Sequence, residues 1–281
     1  MPNLSIITVN LNDAKGLVKT IQSVINQTFK NFEYIVIDGG STDESLEKIN
    51  SFSESFAYWV SEKDNGIYDA MNKGIRRAVG DYCLFLNSGD YLNGPGILSE
   101  IFSQSLSEDI ISGAVIAYSD HSPKKYIQPG IISSEITLSD LFEGSLNHQA
   151  TLIKRSLFDK YGLYEEKFSI ISDWIFTIKT IIFNNVSFRY LDVPITYYNV
   201  DGKSASVSDY YSKENFPALK ELIPVRILSD YETGYVHTVK RMKKYILFWA
   251  IFRLLNLCTI KYDRISRRLI ERRKLKRHIS E

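Results

Sequence analysis

The chain has 281 residues, and 44% of them are hydrophobic, which is enough for one large domain or one domain with an appendage. Its only cysteines, Cys83 and Cys258, exclude a disulfide framework and a cysteine-bound metal cluster. The net charge of +1 combines an acidic body with a tail, from residue 239 onward, that carries fourteen Lys and Arg against three Asp and Glu. The first residues lack the pattern of a signal peptide, so we expect a cytoplasmic protein.

The first ninety residues alternate short apolar runs with segments of helical periodicity. In the segment 14–25 the apolar residues recur every three or four positions, as expected for a helix with one face on a sheet, and Asn12 or Asp13 is its expected cap. The predicted strands are 4–9, 33–37, 57–60 and 82–86, and the helices between them are 14–25, 44–51 and 67–79. This alternation predicts an α/β fold with a doubly wound sheet flanked by helices.

The pattern is looser in the second half. We predict strands over 109–118 and 125–131 with a Ser-Pro-Lys turn between them, a short helix over 138–142 and a strand over 150–153. An apolar helix over 170–183, two short strands around Pro194 within 186–199, and a polar loop over 202–208 follow.

Aspartates follow three of the predicted strands: Asp38, Asp64 and Asp90. Because the carboxyl ends of parallel strands lie along one edge, where ligands bind in such sheets, these side chains are expected near one another. Several carboxylates at one place repel one another unless a cation lies among them. The alternative is that each Asp caps the next helix or turn, as Asp43 does in this interpretation. We favour a metal and nucleotide site.

Six strings in the same order resemble the family-2 glycosyltransferases of the GT-A fold. They are 5–12 (SIITVNLN), 37–43 (IDGGSTD), 64–74 (DNGIYDAMNKG), 85–90 (FLNSGD), 147–150 (NHQA) and 172–174 (SDW). The resemblance covers about residues 4 to 200 and is greatest to the branch that builds bacterial surface polysaccharides. It implies a GT-A, Rossmann-like, mostly parallel sheet over residues 1–225, with a basic helical appendage over 226–281.

The resemblance also implies a nucleotide-sugar donor and a divalent cation, Mn²⁺ or Mg²⁺, that neutralises charge on the diphosphate leaving group. The family places Asp-x-Asp after the fourth strand, whereas this chain has Asn87-Ser88-Gly89-Asp90. Asp90 is then the expected metal ligand, and Asn87 is expected to hold ribose or a metal-bound water.

The other expected donor contacts come from the same strand ends. The family commonly has two adjacent aspartates where this chain has Asp38-Gly39, and often an arginine where Met71 stands. Lys73 is the candidate to replace that arginine near phosphate. For Asp64 and Asp69 the alternatives are a helix cap and an exposed ion pair with Lys73. The full set of expected donor-binding residues is Val9, Asn10, Leu11, Asp38, Asp64, Lys73, Asn87 and Ser88.

Asp173 is the expected catalytic residue. The matching acid of the family is the general base of an inverting displacement, which takes the proton of the acceptor hydroxyl. A second helix cap beside Ser172 is the alternative. The resemblance places His148, Gln149 and Trp174 on the wall that faces the sugar and the acceptor.

The basic tail contains an apolar stretch, 246–260, flanked by clusters of Lys and Arg. As a helix it would be ~22 Å long, too short for a bilayer core of ~30 Å, so we expect it to lie on an anionic membrane surface. Packing on the domain or on a second subunit is the alternative, and nucleic acid is not an expected partner. The sequence thus predicts a glycosyltransferase acting at the inner membrane face on a lipid-linked sugar or glycan. The other hypothesis is a catalytically silent nucleotide-binding or scaffold protein of the same fold.

Overall fold

The computed structural model describes residues 2–133, 135–201, 214 and 217–229. The chain divides into two compact units, Met1–Ala218 and Leu219–Glu281, and the fold below is that of the first. The predicted polar loop 202–208 and basic tail 239–281 lie outside the described residues, and the predicted boundary at residues 225 and 226 stays a prediction. In the described ranges, no helix combines the length and the apolarity needed to cross a bilayer.

Between residues 2 and 201 the structure has nine strands and seven α-helices. The strands are β1 (Leu4–Asn10), β2 (Phe32–Asp38), β3 (Tyr58–Ser61), β4 (Tyr82–Asn87), β5 (Tyr91–Leu92), β6 (Ile110–Ser119), β7 (Ser122–Gln128), β8 (Thr151–Lys154) and β9 (Phe188–Asn199). The helices are α1 (Ala14–Ile25), α2 (Ser45–Ser51), α3 (Ile67–Arg77), α4 (Ile97–Phe102), α5 (Leu138–Glu143), α6 (Arg155–Tyr161) and α7 (Ser172–Thr177). Short 3₁₀ turns cover Ser53–Ser55 and His148–Ala150, and a π turn, Ile178–Ile182, extends α7.

All nine strands belong to one sheet. Its order is β3-β2-β1-β4-β8-β6-β9-β5, and β7 pairs with β6 outside this path. The first four strands in that order are parallel, as predicted. Beyond β4 the pairing is mixed, because β8 is antiparallel to both of its neighbours while β6 and β9 run parallel. The sheet as a whole is therefore less parallel than the sequence predicted.

Apolar layers cover both faces of the parallel half. Leu4 and Ile6 of β1 pack with the buried face of α1, whereas Ile7 and Val9 pack with α3 on the other side. Burial on both faces explains why β2 contains an unbroken apolar run, Tyr34 to Ile37, and why β1 has buried apolar residues on both sides. The α1 helix begins where the Asp13 carboxylate accepts the Gly16 amide at 2.9 Å, which settles the predicted choice between Asn12 and Asp13.

The structure differs from the predicted elements in the second half. Helices α4 and α6 and the short strand β5 were not predicted. The β6–β7 hairpin turns at Asp120 and His121, and the Ser-Pro-Lys segment expected to form this turn is the start of β7. The two strands expected around Pro194 are one strand, β9, whose register with β6 shifts near Pro194. A proline has no amide hydrogen to donate, so the pairing is irregular there without ending.

Candidate active site

The carboxyl ends of β1, β2 and β4 meet at one edge of the sheet. Asn10 pairs with Asp38 across β1 and β2, and Val9 pairs with Asn87 across β1 and β4. The Ser88 amide donates to the Val9 carbonyl at 3.0 Å, so the turn after β4 is attached to the end of β1. Leu11 follows β1 and is 43% exposed, which leaves an apolar side chain free at this edge.

The Asp38 carboxylate is fully buried and accepts four hydrogen bonds from neighbouring strand ends and loops. Its donors are the Asn10 side-chain amide at 2.7 Å, the Ser41 hydroxyl at 2.6 Å, the Ser41 backbone amide at 2.9 Å and the Ser61 hydroxyl at 2.6 Å. Burial alone would raise the pKa of Asp38, but these donors outweigh it and hold the pKa below its ordinary value. Asp38 therefore connects the ends of β1 and β3 with the loop after β2, and both of its oxygens already accept hydrogen bonds.

Asp64 lies directly over Gly39. A Cβ atom added at Gly39 would collide with Asp64 Oδ2, while Asp64 Oδ1 accepts the Gly66 amide at 3.1 Å. The Asp64 carboxylate, from the loop after β3, thus occupies the space that a side chain at position 39 would fill. In this way Asp64 returns a carboxylate to the place where the family commonly has its second aspartate.

Lys73 and Asp69 brace the start of α3. Lys73 Nζ lies 3.0 Å from a Glu62 oxygen and 3.5 Å from Asp69 Oδ2, and the same Asp69 oxygen accepts the Asn65 amide at 2.9 Å. The Asp69 side chain is only 11% exposed, so this is a partly buried brace rather than the exposed ion pair considered above. Both acids engage the Lys73 ammonium group, and the contact of Lys73 with phosphate stays a prediction.

The turn after β4 is held from two other elements. The Thr20 hydroxyl of α1 donates to the Asp90 carbonyl at 2.7 Å and accepts the Gly89 amide at 3.1 Å. The Tyr118 hydroxyl of β6 donates to the Gly89 carbonyl at 2.6 Å, and Gly89 has a positive φ of 93°. This left-handed conformation favours glycine and turns the chain away from the sheet edge.

The Asp90 side chain points into the protein, where it is 3% exposed. Its Oδ1 accepts the Asn199 backbone amide at 2.9 Å. Burial raises the pKa of Asp90 to about 8; the Asn199 hydrogen bond opposes this and the nearby charge of Asp13 adds to it. Asp90 is therefore mostly neutral at pH 7 in this arrangement.

These residues fit a divalent cation poorly. Hard cations take oxygen ligands, above all ionised carboxylates. In the part of the chain that the structure describes, no three His, Cys, Asp or Glu side chains are grouped so that they could hold a metal. Asn87 and Gly89 supply no carboxylate, and Asp90 is buried in a form that binds cations weakly. The expectation that Asp90 is an open metal ligand is corrected accordingly.

Asp173, in the first turn of α7, is the partly open carboxylate of this region, with its side chain 22% exposed. The Tyr68 hydroxyl of α3 donates to Asp173 Oδ1 at 2.7 Å. His148 Nδ1 lies 3.6 Å from the other oxygen, Oδ2. The described residues make no hydrogen bond to Oδ2, so this oxygen can take a proton from a bound molecule.

His148 joins Asp173 to the end of β4. Its Nε2 lies 3.2 Å from Asn87 Nδ2, and with that amide as donor the proton of the neutral ring lies on Nδ1, facing Asp173. Burial lowers the pKa of His148 and the Asp173 charge partly opposes this, so the ring is neutral at pH 7. Asn87 Oδ1 is buried without a partner. An unpaired buried oxygen costs about 1–3 kcal/mol, which a ligand or water hydroxyl would recover.

The other two side chains expected to face the acceptor lie inside. Gln149 follows His148 in the 3₁₀ turn and is 3% exposed. Trp174 is 4% exposed, and its Nε1 donates to the Leu141 carbonyl at 2.7 Å. Its expected role beside the sugar is corrected to that of a core residue that holds α5 against α7.

Tyr68 was missed by the sequence reasoning, although it lies inside the quoted string 64–74. Asn72 of the same string also connects distant segments, because its side-chain amide donates to the Tyr164 carbonyl at 2.9 Å and its Oδ1 accepts the Tyr164 amide at 3.0 Å. Their position on one face of α3, four residues apart, was the available signal. The string 64–74 thus contributes both to the position of Asp173 and to the contact of Asp64 with Gly39 at the sheet edge.

Comparison of the sequence with known proteins gives a family match and similar enzymes. The model of glycosyl transferase family 2 matches residues 5–162. A PGL/p-HBAD biosynthesis glycosyltransferase of Mycobacterium bovis is 31% identical over 207 residues, which cover 72% of this chain and 78% of that protein.

Two solved structures share the fold. TarS 1–349 of Staphylococcus aureus, in complex with UDP-GlcNAc, has a TM-score of 0.59 and 20% identity, and the match covers 75% of this chain and 64% of that one, less than two thirds of its length. The mannosyltransferase PcManGT of Pyrobaculum calidifontis, in complex with GDP-Man and Mn²⁺, has a TM-score of 0.57 and 12% identity, with 89% and 82% coverage.

Proposed function

The chain belongs to glycosyl transferase family 2, and we propose that it is an inverting enzyme that transfers a sugar from a UDP-sugar donor to a hydroxyl group of a lipid-linked or glycan acceptor in bacterial surface polysaccharide synthesis. The observation that carries the proposal is the environment of the Asp173 carboxylate. It combines one oxygen held by Tyr68 with a second oxygen that is free to accept a proton. It also lies beside His148 and Asn87, at the edge where the nucleotide is expected.

The donor site in this proposal follows the ends of β1 and β4. Leu11 and the backbone from Val9 to Leu11 face the base, and the Asp64 carboxylate over Gly39 contacts the base or ribose. Asn87 and Ser88 lie next to the sugar-phosphate part. Asp38 acts indirectly, because its four hydrogen bonds shape the loop 39–42 that borders the nucleotide.

The reaction then needs one proton transfer and one displacement. Asp173 Oδ2 takes the proton of the acceptor hydroxyl as its oxygen forms a bond to the anomeric carbon of the donor. The bond from that carbon to the nucleoside diphosphate breaks on the opposite face, so the configuration inverts and the electron pair leaves with the diphosphate. His148 stays neutral and borders the path of the acceptor, and the partly buried position of Asp173 limits competition by water.

In family members that bind a divalent cation, the ion supplies positive charge to the departing diphosphate. PcManGT was solved with Mn²⁺. In this chain the residues after β4 fit such an ion poorly, so the proposal assigns no step to it.

We propose a membrane-surface role for residues 239–281 from their charge and apolar stretch alone. Deleting them should release the protein from anionic phosphatidylglycerol vesicles at low salt, because each basic residue near such a surface contributes at most about 1 kcal/mol and the apolar stretch adds a salt-resistant part. Vesicle sedimentation of the full chain and of the truncated chain measures this. A full chain that stays in the supernatant at low salt contradicts the proposal.

The function is tested by incubating the purified full chain with UDP-GlcNAc, other UDP-sugars and GDP-mannose, with and without Mn²⁺. Release of the nucleoside diphosphate and thermal shift are followed in parallel. Stabilisation together with release supports the enzyme and identifies its donor. Stabilisation without release from any donor, with cell-derived lipid extract as acceptor source, supports the silent nucleotide-binding hypothesis instead. An absence of both for every nucleotide contradicts the donor proposal.

A further inference from the structure

The Tyr68 hydroxyl has two hydrogen-bond acceptors within reach. Its oxygen lies 2.7 Å from Asp173 Oδ1 and 2.6 Å from the Ile170 carbonyl oxygen. Both distances are normal for O–H···O bonds. A phenol has only one proton, however, and a carbonyl oxygen has none to give. Tyr68 therefore donates to one of these two oxygens at a time.

The charge on Asp173 decides which acceptor is preferred. When Asp173 is ionised, its Oδ1 is the stronger acceptor, because hydrogen bonds to charged groups are stronger than those between neutral groups. When Asp173 has taken a proton on Oδ2, Oδ1 becomes the carbonyl oxygen of a neutral acid. The Ile170 carbonyl is then at least as good an acceptor, and the phenol reaches it by rotating its O–H bond alone.

The position of Tyr68 is fixed by its surroundings. The residue lies in the first turn of α3 and is 5% exposed. Its ring centroid is 5.5 Å from that of Tyr164, and Asn72, one turn further along α3, holds the Tyr164 backbone through two hydrogen bonds. Burial, and then the Asp173 charge, raise the pKa of Tyr68 well above its ordinary value, so it remains a neutral donor throughout.

We propose that Tyr68 is a positioning residue for the general base: it donates to Asp173 Oδ1 before proton transfer and to the Ile170 carbonyl after it. The inference rests on the proposed function, in which Asp173 is that base. Tyr68 never becomes a buried donor without a partner, in either state. The heavy atoms stay in place while the charge on Asp173 is lost, which keeps reorganisation during the reaction small.

The protons balance at each stage. The acceptor hydroxyl gives its proton to Asp173 Oδ2, and the Tyr68 proton stays on its own oxygen and only changes partner. When Asp173 later releases its proton to water, the Tyr68 hydroxyl returns to Oδ1. Among the described residues, the other titratable groups that face Asp173 are the neutral His148, 3.6 Å from Oδ2, and the buried Tyr164.

Tyr68→Phe tests the proposal, with Tyr164→Phe as the matched control. Both substitutions remove one hydroxyl from the same aromatic cluster, but the Tyr164 hydroxyl makes no hydrogen bond to Asp173 among the described residues. The titration of Asp173 is followed by carbon NMR of the full chain labelled at the aspartate carboxyl carbons, and Asp173→Asn assigns its signal. This readout needs no substrate.

Removing the Tyr68 donor should favour the neutral form of Asp173 and move its titration midpoint up by about one pH unit. Tyr164→Phe should move it by less than about a third of that. Replacing Tyr68 with 3-fluorotyrosine, a stronger donor of the same shape, should move the midpoint in the opposite direction. An unchanged midpoint in Tyr68→Phe, or an equal shift in both variants, overturns the proposal, and the fluorinated residue keeps the test decisive if Tyr68→Phe is unstable.

A second readout is the pH profile of UDP-GlcNAc hydrolysis, in which water replaces the acceptor. The acidic limb of kcat/KM should move to higher pH in Tyr68→Phe and stay in place in Tyr164→Phe. A purely structural role would lower the rate at every pH and leave the limb unmoved. If the NMR midpoint shifts as expected but no nucleotide sugar is turned over, the contact of Tyr68 with Asp173 stands and the proposed function is wrong.

Discussion

The end of β2 and the turn after β4 each contain a buried carboxyl group, and the two groups are in opposite electrostatic states. Asp38 has four hydrogen-bond donors around it, and its pKa lies below the ordinary value. Among the described residues, the Asp90 carboxyl accepts one hydrogen bond, from the Asn199 backbone amide, and burial raises its pKa to about 8. Both residues are aspartates that follow parallel strands. The number of donors around each group, rather than its place after a strand, therefore decides its charge.

Asp173 differs from both because it is partly open. One of its oxygens accepts the Tyr68 hydroxyl, and the described residues make no hydrogen bond to the other. The comparison supports a framework role for Asp38 and Asp90 and the proposed catalytic role for Asp173. Equal substitutions at the three positions should separate these roles.

The largest effect is expected for Asp173→Asn. Asparagine keeps the size of the side chain but cannot accept the acceptor's proton, so kcat should fall by ~10²–10⁴-fold while donor affinity stays within about threefold. Steady-state kinetics with the donor that the nucleotide-sugar screen selects, together with calorimetry, measure the two quantities. Asp159→Asn, an exposed acid paired with Arg155 on α6, is the matched control. Wild-type turnover in Asp173→Asn contradicts its role as base.

Asp38→Asn should destabilise the fold by about 2–3 kcal/mol at pH 7.5, because an amide nitrogen then faces hydroxyl and amide donors that need an acceptor. The low pKa of Asp38 contributes stability that is complete above the unfolded value of about 4 and is lost as the pH falls through the folded value. The difference between wild type and variant should therefore shrink below pH 4. Urea unfolding at several pH values measures it, and a variant as stable as wild type at pH 7.5 argues against the framework role.

Asp90→Asn should have the opposite effect on the stability of the fold. Because the pKa is raised, the folded state binds the proton more tightly, and wild-type stability should fall as the pH rises from about 4 through about 8. The variant lacks this slope, so it should be similar to wild type at pH 4 and become the more stable of the two as the pH rises to 8.5, by up to about 1.4 kcal/mol for each pH unit. Thermal melts across this range provide the measurement. Destabilisation at pH 8.5 would show that the ionised carboxylate is the form the protein needs.

The smallest effect is expected on metal dependence. If Asp90 is a buried neutral acid, Asp90→Asn should change the influence of Mn²⁺ on UDP affinity by less than about threefold. Calorimetry of UDP binding with Mn²⁺ and with EDTA, for wild type and variant, tests this. A complete loss of Mn²⁺ dependence in the variant would restore Asp90 as the ligand that the sequence predicted.

Local patterns were sufficient to predict the elements of the first ninety residues. The period of α1 and the apolar runs of β1, β2 and β4 are set by residues close in sequence, and the parallel pairing follows from burial on both faces. Helix α6 was missed because it follows β8 directly, and its capping position, Lys154, makes no side-chain cap bond. The strand β5 has two residues and pairs only with β9, about a hundred residues later.

The site was predicted by position but only partly by role. The sequence correctly places Asp38 and Asn87 at one edge, yet the direction of the Asp90 side chain depends on the positive φ of Gly89 and on Asn199, far along the chain. The contact of Tyr68 with Asp173 likewise joins residues 105 positions apart. Such contacts depend on tertiary packing, which no local pattern encodes.

The close approach of Asp64 to Gly39 has a consequence for how this edge can vary. The space beside Asp38 accommodates one acidic group, which here arrives from the β3 side because position 39 has no Cβ atom. A side chain introduced at position 39 would therefore have to displace the Asp64 carboxylate, so libraries that test the proposed donor site should vary positions 39 and 64 together.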